Sequence, residues 1–491
     1  EPSKENSLMK LRSKLQLRAA RNMGNISDFY EFRASLFVED GGIGPVRRAR
    51  DRRTLQEHVV KSIAKVAKTG VASRHSEEVE IMSMVDHPNI VRVHETFEDK
   101  KKVYIVMEFC EGGMLLDRLC DAGNFTEIVA IELVKQMLLA VNYLHHSGVA
   151  LRDMKPQSWL FEKKNVPLEA STLKLIDFGF SQRIASGKPL QAPVGLTPAP
   201  YHAPEVTSSS ANEKVDIWSV GVICHLLLSG TLPFDDGAPG SPQSKAPGSR
   251  QGNPRQLLME DGPWKDVSGK GKVFVRALLK EVPGDRPTAE IALQLEWCSG
   301  AAKDLPGASI TQLEVNHLRA FTRAGNLKKA ALTVIATQLD NKRIAELKSM
   351  FSSLDKNRDG TLSAAEISAA FSKAGVETPK DLEELFKLVD TDQSGSVDYT
   401  EFLASTMSKK LYHQQDVVWR AFRKFDKDGS GAIDKTELAN VLCDPDVRKV
   451  MHFDNDGSSK VDAMFKETDT DGNGLIDFDE FFAMIGGDEG A

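Results

Sequence analysis

V-A-L-R-D-M-K-P-Q-S-W-L-F, from Val149 to Phe161, sets a carboxylate and an ammonium two residues apart at Asp153 and Lys155. It reads either as a loop that handles phosphate or as the remnant of one. Downstream follow Asp177-Phe178-Gly179, Ala203-Pro204-Glu205 and Asp216-Ile217-Trp218; upstream stand Lys61, Glu78 and Asp86-His87-Pro88-Asn89-Ile90. Each fragment is weak alone, and the signal lies in their order and spacing. Phosphoryl transfer is mostly positioning and charge neutralisation, so it needs a lysine on nucleotide phosphates and a carboxylate on a divalent metal. Lys61 and Asp177 match those needs.

The surrounding pattern is two-part. Phe29 to about Thr96 is strand-rich, with a strand over Val59–Ile63 and a helix from about His75 to Val85. From Asn124 the period becomes helical: Ile131–Leu144 carries apolar residues at helical spacing, and Val215–Leu228 reads as a helix buried all round. Residues 237–253, dense in Pro, Gly and Ser, read as a disordered surface insertion, after which the helical part closes near Trp297.

At 491 residues the chain exceeds one core, so two or three domains are expected. With 41% hydrophobic and 27% charged residues it has the makings of packed cores, which excludes disorder throughout. A net charge of -7 gives no reason to expect nucleic-acid binding. Cys110, Cys120, Cys224, Cys298 and Cys443 form no CxxC pair, as suits reduced thiols in the cytoplasm. The longest apolar stretch, Val220–Leu228, is far shorter than a bilayer span, so no transmembrane segment is expected. The sequence begins at Glu1 rather than Met, which leaves open membrane attachment through a preceding segment. Leu8 to Arg21 intersperses Lys10, Arg12, Lys14, Arg18 and Arg21 with leucines, as a basic amphipathic helix or a solvated tail would.

Beyond two helices after Ser299, one unit recurs four times: D-K-N-R-D-G-T-L-S-A-A-E (Asp355–Glu366), D-T-D-Q-S-G-S-V-D-Y-T-E (Asp390–Glu401), D-K-D-G-S-G-A-I-D-K-T-E (Asp426–Glu437) and D-T-D-G-N-G-L-I-D-F-D-E (Asp469–Glu480). Each satisfies the twelve-residue calcium-loop rule. Calcium takes six to eight hard oxygens. The expected ligands are Asp355, Asn357, Asp359, Thr361 and Glu366; Asp390, Asp392, Ser394, Ser396 and Glu401; Asp426, Asp428, Ser430, Ala432 and Glu437; and Asp469, Asp471, Asn473, Leu475 and Glu480. The seventh-position residue of each set offers only its backbone carbonyl, and the glutamate closes the site with two oxygens. Apolar residues at position 8 (Leu362, Val397, Ile433, Ile476) let loops pair by a short ladder, so four loops imply two paired lobes.

Over Tyr30 to Trp297 these motifs make the chain resemble a eukaryotic serine/threonine protein kinase, and with the four loops it resembles the calcium-dependent protein kinases of plants and protists. The resemblance implies an α+β chain: a bilobal protein-kinase fold followed by an all-α calmodulin-like domain of two paired EF-hand lobes. Its parts are a basic N-terminal extension (1–29), a kinase domain (30–297), an autoinhibitory junction (298–341) and a calmodulin-like domain (342–491). The EF-hands fall at 342–377, 378–412, 413–448 and 456–491. Asp153 is then the catalytic base and Lys155 its partner at the γ-phosphate. Gly41, Gly44 and Val46 cover ATP, Lys61 meets its phosphates under the hold of Glu78, Met107 backs the adenine, and Glu108 to Cys110 form the hinge. Asp177 and Ser158 face magnesium. In the junction, Leu327–Leu332 (L-K-K-A-A-L) and His317–Phe321 put basic and apolar residues on a helical period, as a calmodulin-type target helix requires, so the EF-hand lobes are an intramolecular partner. Protein substrates and a monomer are expected.

Departures from the family pattern are specific. Glu39 replaces the first glycine of the phosphate loop, Leu151 a histidine, and Ser158 an asparagine that binds the second magnesium. Met114 and Gln157 stand where the family often has Glu to read basic substrate residues. The segment Gly195–Glu205 is shifted by one residue against the usual Gly-Thr pair, with Thr197 the candidate to reach Asp153 and Lys155. The two readings are a calcium-activated serine/threonine kinase, motivated by Lys61, Glu78, Asp153, Lys155 and Asp177, and a calcium-responsive pseudokinase acting as an interaction protein.

Overall fold

The computed structural model describes residues 21–22, 25–37, 45–65, 71–184, 190–193, 196, 199–208, 211–234, 259, 261–299, 312–339, 344–374, 379, 381–391, 394–426, 428–442 and 457–487. The basic segment up to Ala20, the phosphate loop from Glu39 through Gly41 to Gly44, Thr197, the 237–253 insertion and Asp392 lie outside them. The backbone divides into two compact units that do not follow chain order. One joins residues 1–88 and 92–109 to 306–491; the other joins 89–91 to 110–305.

In the first unit six strands lie in the order Arg21–Asn22, Val93–Glu98, Lys102–Glu108, Glu57–Ala64, Val46–Asp51 and Tyr30–Phe37. All neighbours are antiparallel except the first pair. The β-branched run Val59-Val60 with Ile63 seeds the central strand, which pairs on both sides as a strand with no free edge must. Its register puts Lys61 opposite Val46 and Ile105, and Val59 opposite Met107. The helix after it runs Val71–Met84, four residues earlier in its start than the periodicity predicts.

The same unit contains the calcium-loop region. Helices Ala345–Leu354 and Ala364–Ala374, Leu382–Val389 and Tyr399–Thr406, Gln415–Phe425 and Lys435–Leu442, and Gly457–Thr468 and Phe478–Gly486 flank the four loops. The loops pair as expected: Leu362 meets Val397 and Ile433 meets Ile476, each in an antiparallel ladder. The D-x-x-E ending of loops two and four has a second use. Asp398 with Glu401, and Asp477 with Glu480, form capping boxes that start the exiting helices, so in each case the glutamate expected to close the metal site also caps a helix terminus.

Helices Gln312–Arg323 and Asn326–Gln338 are wrapped by this region. Val315, Phe321, Leu327, Ala331 and Ile335 share one apolar core with Phe351, Phe402, Phe422 and Phe481. Polar ties reinforce it: Lys328 Nζ donates to the Gly487 carbonyl at 2.6 Å and Arg319 pairs with Asp381 at 3.0 Å.

Helix Gln415–Phe425 explains why the strand-rich part groups with the C-terminal helices. Arg423 reaches Asp51 at 3.0 Å and Glu95 at 3.5 Å, and its guanidinium lies 4.4 Å from the Phe29 ring centre. Arg420 donates to the Gln56 side chain and Lys424 to the His94 carbonyl. Elsewhere the Thr400 amide donates to Asp86 at 2.7 Å, and Arg92 to the Leu339 carbonyl at 2.8 Å.

The second unit is built on helices Glu127–His146 and Lys214–Ser229. The first is long and apolar enough to cross a membrane, yet it is a core helix, with Leu133, Val134, Met137, Leu138 and Val141 fully buried. The second is buried from Val215 to Ser229, as its sequence predicts. Short strand pairs, Val149–Ala150 with Gln182–Arg183 and Trp159–Phe161 with Leu173–Leu175, bracket the loop from Leu151 to Ser158 and the turn at Asp177.

Candidate active site and metal centres

In the first unit Lys61 Nζ and the Glu78 carboxylate form an ion pair, both side chains almost fully buried. An unpaired charge there would be costly, so each side chain makes the other tolerable and Glu78 fixes where the ammonium points. Met107 is buried, Val46 pairs with the lysine strand, and the Glu108 carboxylate accepts from the Arg92 amide at 2.8 Å.

The second unit holds the loop carboxylates. Asp153 Oδ2 accepts from Lys155 Nζ at 3.0 Å, and the same ammonium lies 4.0 Å from Asp177 Oδ2. Burial works to raise the Asp153 pKa, but the bond from His202 and the charge of Lys155 outweigh it and hold the carboxyl below its usual range. His202 Nε2 lies 2.7 Å from Asp153 Oδ1. Sequence reading missed this residue, although Y-H-A-P-E puts an imidazole directly before the Ala-Pro-Glu anchor. That anchor is firm: Glu205 takes a bidentate bond from buried Arg286 at 2.6 and 2.9 Å. Cys110, expected as the last hinge residue, belongs to this unit and is buried.

Leu151 is buried, and the frame that a histidine would join there is intact. The amides of Leu151 and Arg152 donate to the Asp216 carboxylate at 3.0 and 2.8 Å, and His145 Nε2 lies 2.9 Å from it. Arg152 holds a left-handed φ of 69° and donates to the carbonyls of Phe180 and Gln191. Backbone in that region is maintained only where its surroundings impose it.

The donor set near Asp177 fits a divalent cation. Ser158 is buried with its Oγ lacking any hydrogen-bond partner, and its carbonyl accepts from Ile176, next to Asp177, at 2.9 Å. A buried oxygen with no protein partner is a candidate ligand for such an ion.

The calcium loops show the same sign more strongly. Gly360, Gly395, Gly431 and Gly474 hold φ between 81° and 91°, where a side chain would be strained. Oxygens of Asp426, Asp428 and Glu437 converge to within 4.8 Å, as do those of Asp469, Asp471 and Glu480. In loop one the Glu366 carboxylate accepts from the amides of Lys356, Asn357 and Ser363, while Asp359 accepts from Thr361. In loop two Glu401 accepts from Thr391 and Asp398, and Asp390 from Ser394 and Gly395. Asp355 and Asp426 each keep one buried oxygen without a partner. Burial, followed by the charge of Asp359, pushes Asp355 up to about 7; burial and Glu437 raise Asp426. Carboxylates crowded and dehydrated in this way fit a dication well.

Comparison with known proteins adds to this geometry. The protein kinase domain model matches residues 37–298, and the EF-hand domain pair model matches 344–407 and 416–486. Calcium-dependent protein kinase 5 of Plasmodium falciparum is 33% identical over 470 residues, 95% of this chain and 79% of that protein. Calcium-dependent protein kinase 7 of Arabidopsis thaliana is 35% identical over 455 residues, 91% of this chain and 81% of that protein. Among solved structures, an autoregulated twitchin kinase fragment of C. elegans aligns with 27% identity and a TM-score of 0.49, covering 58% of this chain and 61% of that one.

Proposed function

The chain belongs to the calcium-dependent protein kinase family, and from that membership we infer how its residues share the work of a calcium-activated serine/threonine protein kinase. The reaction moves the γ-phosphoryl group of ATP to a serine or threonine hydroxyl of a protein substrate. Asp153 orients that hydroxyl and takes its proton, and Lys155 neutralises charge on the moving phosphoryl group. Lys61, aimed by Glu78, meets the nucleotide phosphates, covered by Gly41, Gly44 and Val46. Met107, Glu108 and Cys110 shape the adenine end. Asp177 and Ser158 would hold the divalent metal, which we assign as magnesium and which would supply charge neutralisation at the phosphates. Calcium enters the four loops through the ligands already named, and the 298–341 junction acts as the intramolecular inhibitor that calcium releases.

The observation that supports activity most is the Lys155 ammonium between the carboxylates of Asp153 and Asp177. Base, cation and metal ligand keep the relation that transfer requires, whereas a chain with no catalytic use for them has no reason to keep two carboxylates around one lysine. The junction reading draws on the burial of its helices among the EF-hand helices. The test is phosphate incorporation into a generic protein substrate with calcium, with chelator, and with Asp153→Asn. Turnover that needs calcium and is lost in the variant supports the reading; nucleotide binding without turnover in calcium returns the chain to the pseudokinase alternative.

A further inference from the structure

Both oxygens of the Asp153 carboxylate are engaged, Oδ2 by Lys155 and Oδ1 by His202. The tautomer of His202 follows from its other nitrogen. The Ala199 amide donates to Nδ1 at 3.0 Å, so Nδ1 carries no proton, and the ring's N–H is Nε2, directed at Asp153. The ring is 4% exposed and is followed immediately by Ala203-Pro204-Glu205, which Arg286 anchors. It is therefore a pre-set donor, not a surface group that swings. A carboxylate has about four acceptor positions, so two donors leave room for an incoming hydroxyl.

We propose that His202 is a positioning residue for phosphoryl transfer: its Nε2–H fixes the plane of the Asp153 carboxylate and directs the remaining lone pairs toward the substrate hydroxyl. This rests on Asp153 being the base of a protein kinase, as argued above. The lowered Asp153 pKa agrees with it, since a donor aimed at the charged form keeps the base ionised against burial. The activation segment then does more than receive the substrate. Its last residue before the Ala-Pro-Glu anchor sets the base itself, so a segment displaced from Arg286 withdraws the donor and disorients Asp153 together.

The decisive pair of variants separates the two nitrogens. In His202→Gln the side-chain amide reaches as far as Nε2 and donates to Asp153, at the expense of the Ala199 contact. In His202→Asn the amide sits at the level of Nδ1, where it accepts from Ala199 but cannot reach Asp153. Full-length, calcium-saturated protein is assayed with saturating ATP and a generic protein substrate, alongside wild type and Asp153→Asn, with folding checked by the calcium-binding isotherm. His202→Asn lowers kcat about 10- to 100-fold with KM for ATP within about twofold, while His202→Gln keeps kcat within about fivefold of wild type. The reverse order, Asn active and Gln impaired, shows that the imidazole only braces the loop and overturns the proposal, as does equal activity of both. Absence of turnover in wild type defeats the kinase reading instead, an outcome distinct from any ranking of the two variants.

Discussion

Replacing Arg423 by alanine tests the docking of the third calcium-loop helix on the sheet. Its side chain is 10% exposed, and the carboxylates it pairs with, Asp51 and Glu95, are 2% and 10% exposed. Burial works against ionisation of Asp51, and the Arg423 charge, helped by the amides of Thr54 and Arg53, overcomes it and keeps the carboxyl below its usual range. Tyr30 donates to Glu95 from the same pocket, its phenol raised by burial and by that carboxylate. Deleting the guanidinium leaves two dehydrated carboxylates facing a phenol. Breaking a buried pair from one side costs about 3–5 kcal/mol, and the lost stacking on Phe29 adds about 1 kcal/mol. Asp51→Asn in the Arg423→Ala background recovers part of the loss, because the orphaned charge is what hurts most. The assay is thermal unfolding of the calcium-loaded protein by circular dichroism, and a double-mutant cycle between Arg423 and Asp51 isolates their coupling. Arg423→Ala lowers the midpoint of the unit by about 10 °C. A loss below about 1 kcal/mol, or a cycle with no coupling, refutes the reasoning.

Three other outcomes follow from particular groups. Asp355 has a folded pKa of about 7 against 3.8 for an ordinary aspartate, so in chelator the folded state binds more protons than the unfolded one and stability falls as pH rises from about 4 to 7; Asp355→Asn flattens that slope in pH-dependent unfolding. Glu437→Gln removes one carboxylate from the converging trio of loop three and weakens calcium there at least about tenfold by titration calorimetry, with the separate pair of loops one and two unaffected. Leu151→His changes kcat by less than about threefold, because His145 already stands at Asp216; a gain of about tenfold or more shows that the leucine impairs the catalytic frame.

What the sequence shows and what it hides divide by range. A calcium loop is a local object: twelve consecutive residues carry the ligands, the turn glycine and the glutamate that also caps the next helix, so loops, pairing and ladders are all legible. The catalytic fragments are separately weak but come in a fixed order, which makes the two-lobed reading possible. The partnerships that hold these pieces are not local. Arg423 and Asp51 are 372 positions apart, and in sequence that arginine is indistinguishable from a solvated charge on an amphipathic helix. His145 and His202 reach their carboxylates across 71 and 49 positions, and no periodicity reports such a meeting. Helical spacing tells which face of the junction is apolar, and it is the family resemblance, not the spacing alone, that points to the EF-hand helices as its cover.

Helix Gln415–Phe425 ends at Asp426, the first residue of the third calcium loop, and two to six residues earlier it carries Lys424, Arg423 and Arg420 on the sheet that also contains Lys61. One helix therefore touches both the calcium loop and the sheet of Lys61. Whatever factor calcium adds to nucleotide affinity through this helix, nucleotide must return to calcium affinity, because coupling free energy has no direction. Any coupling carried this way would make the calcium threshold depend on the nucleotide level as well as on the loops.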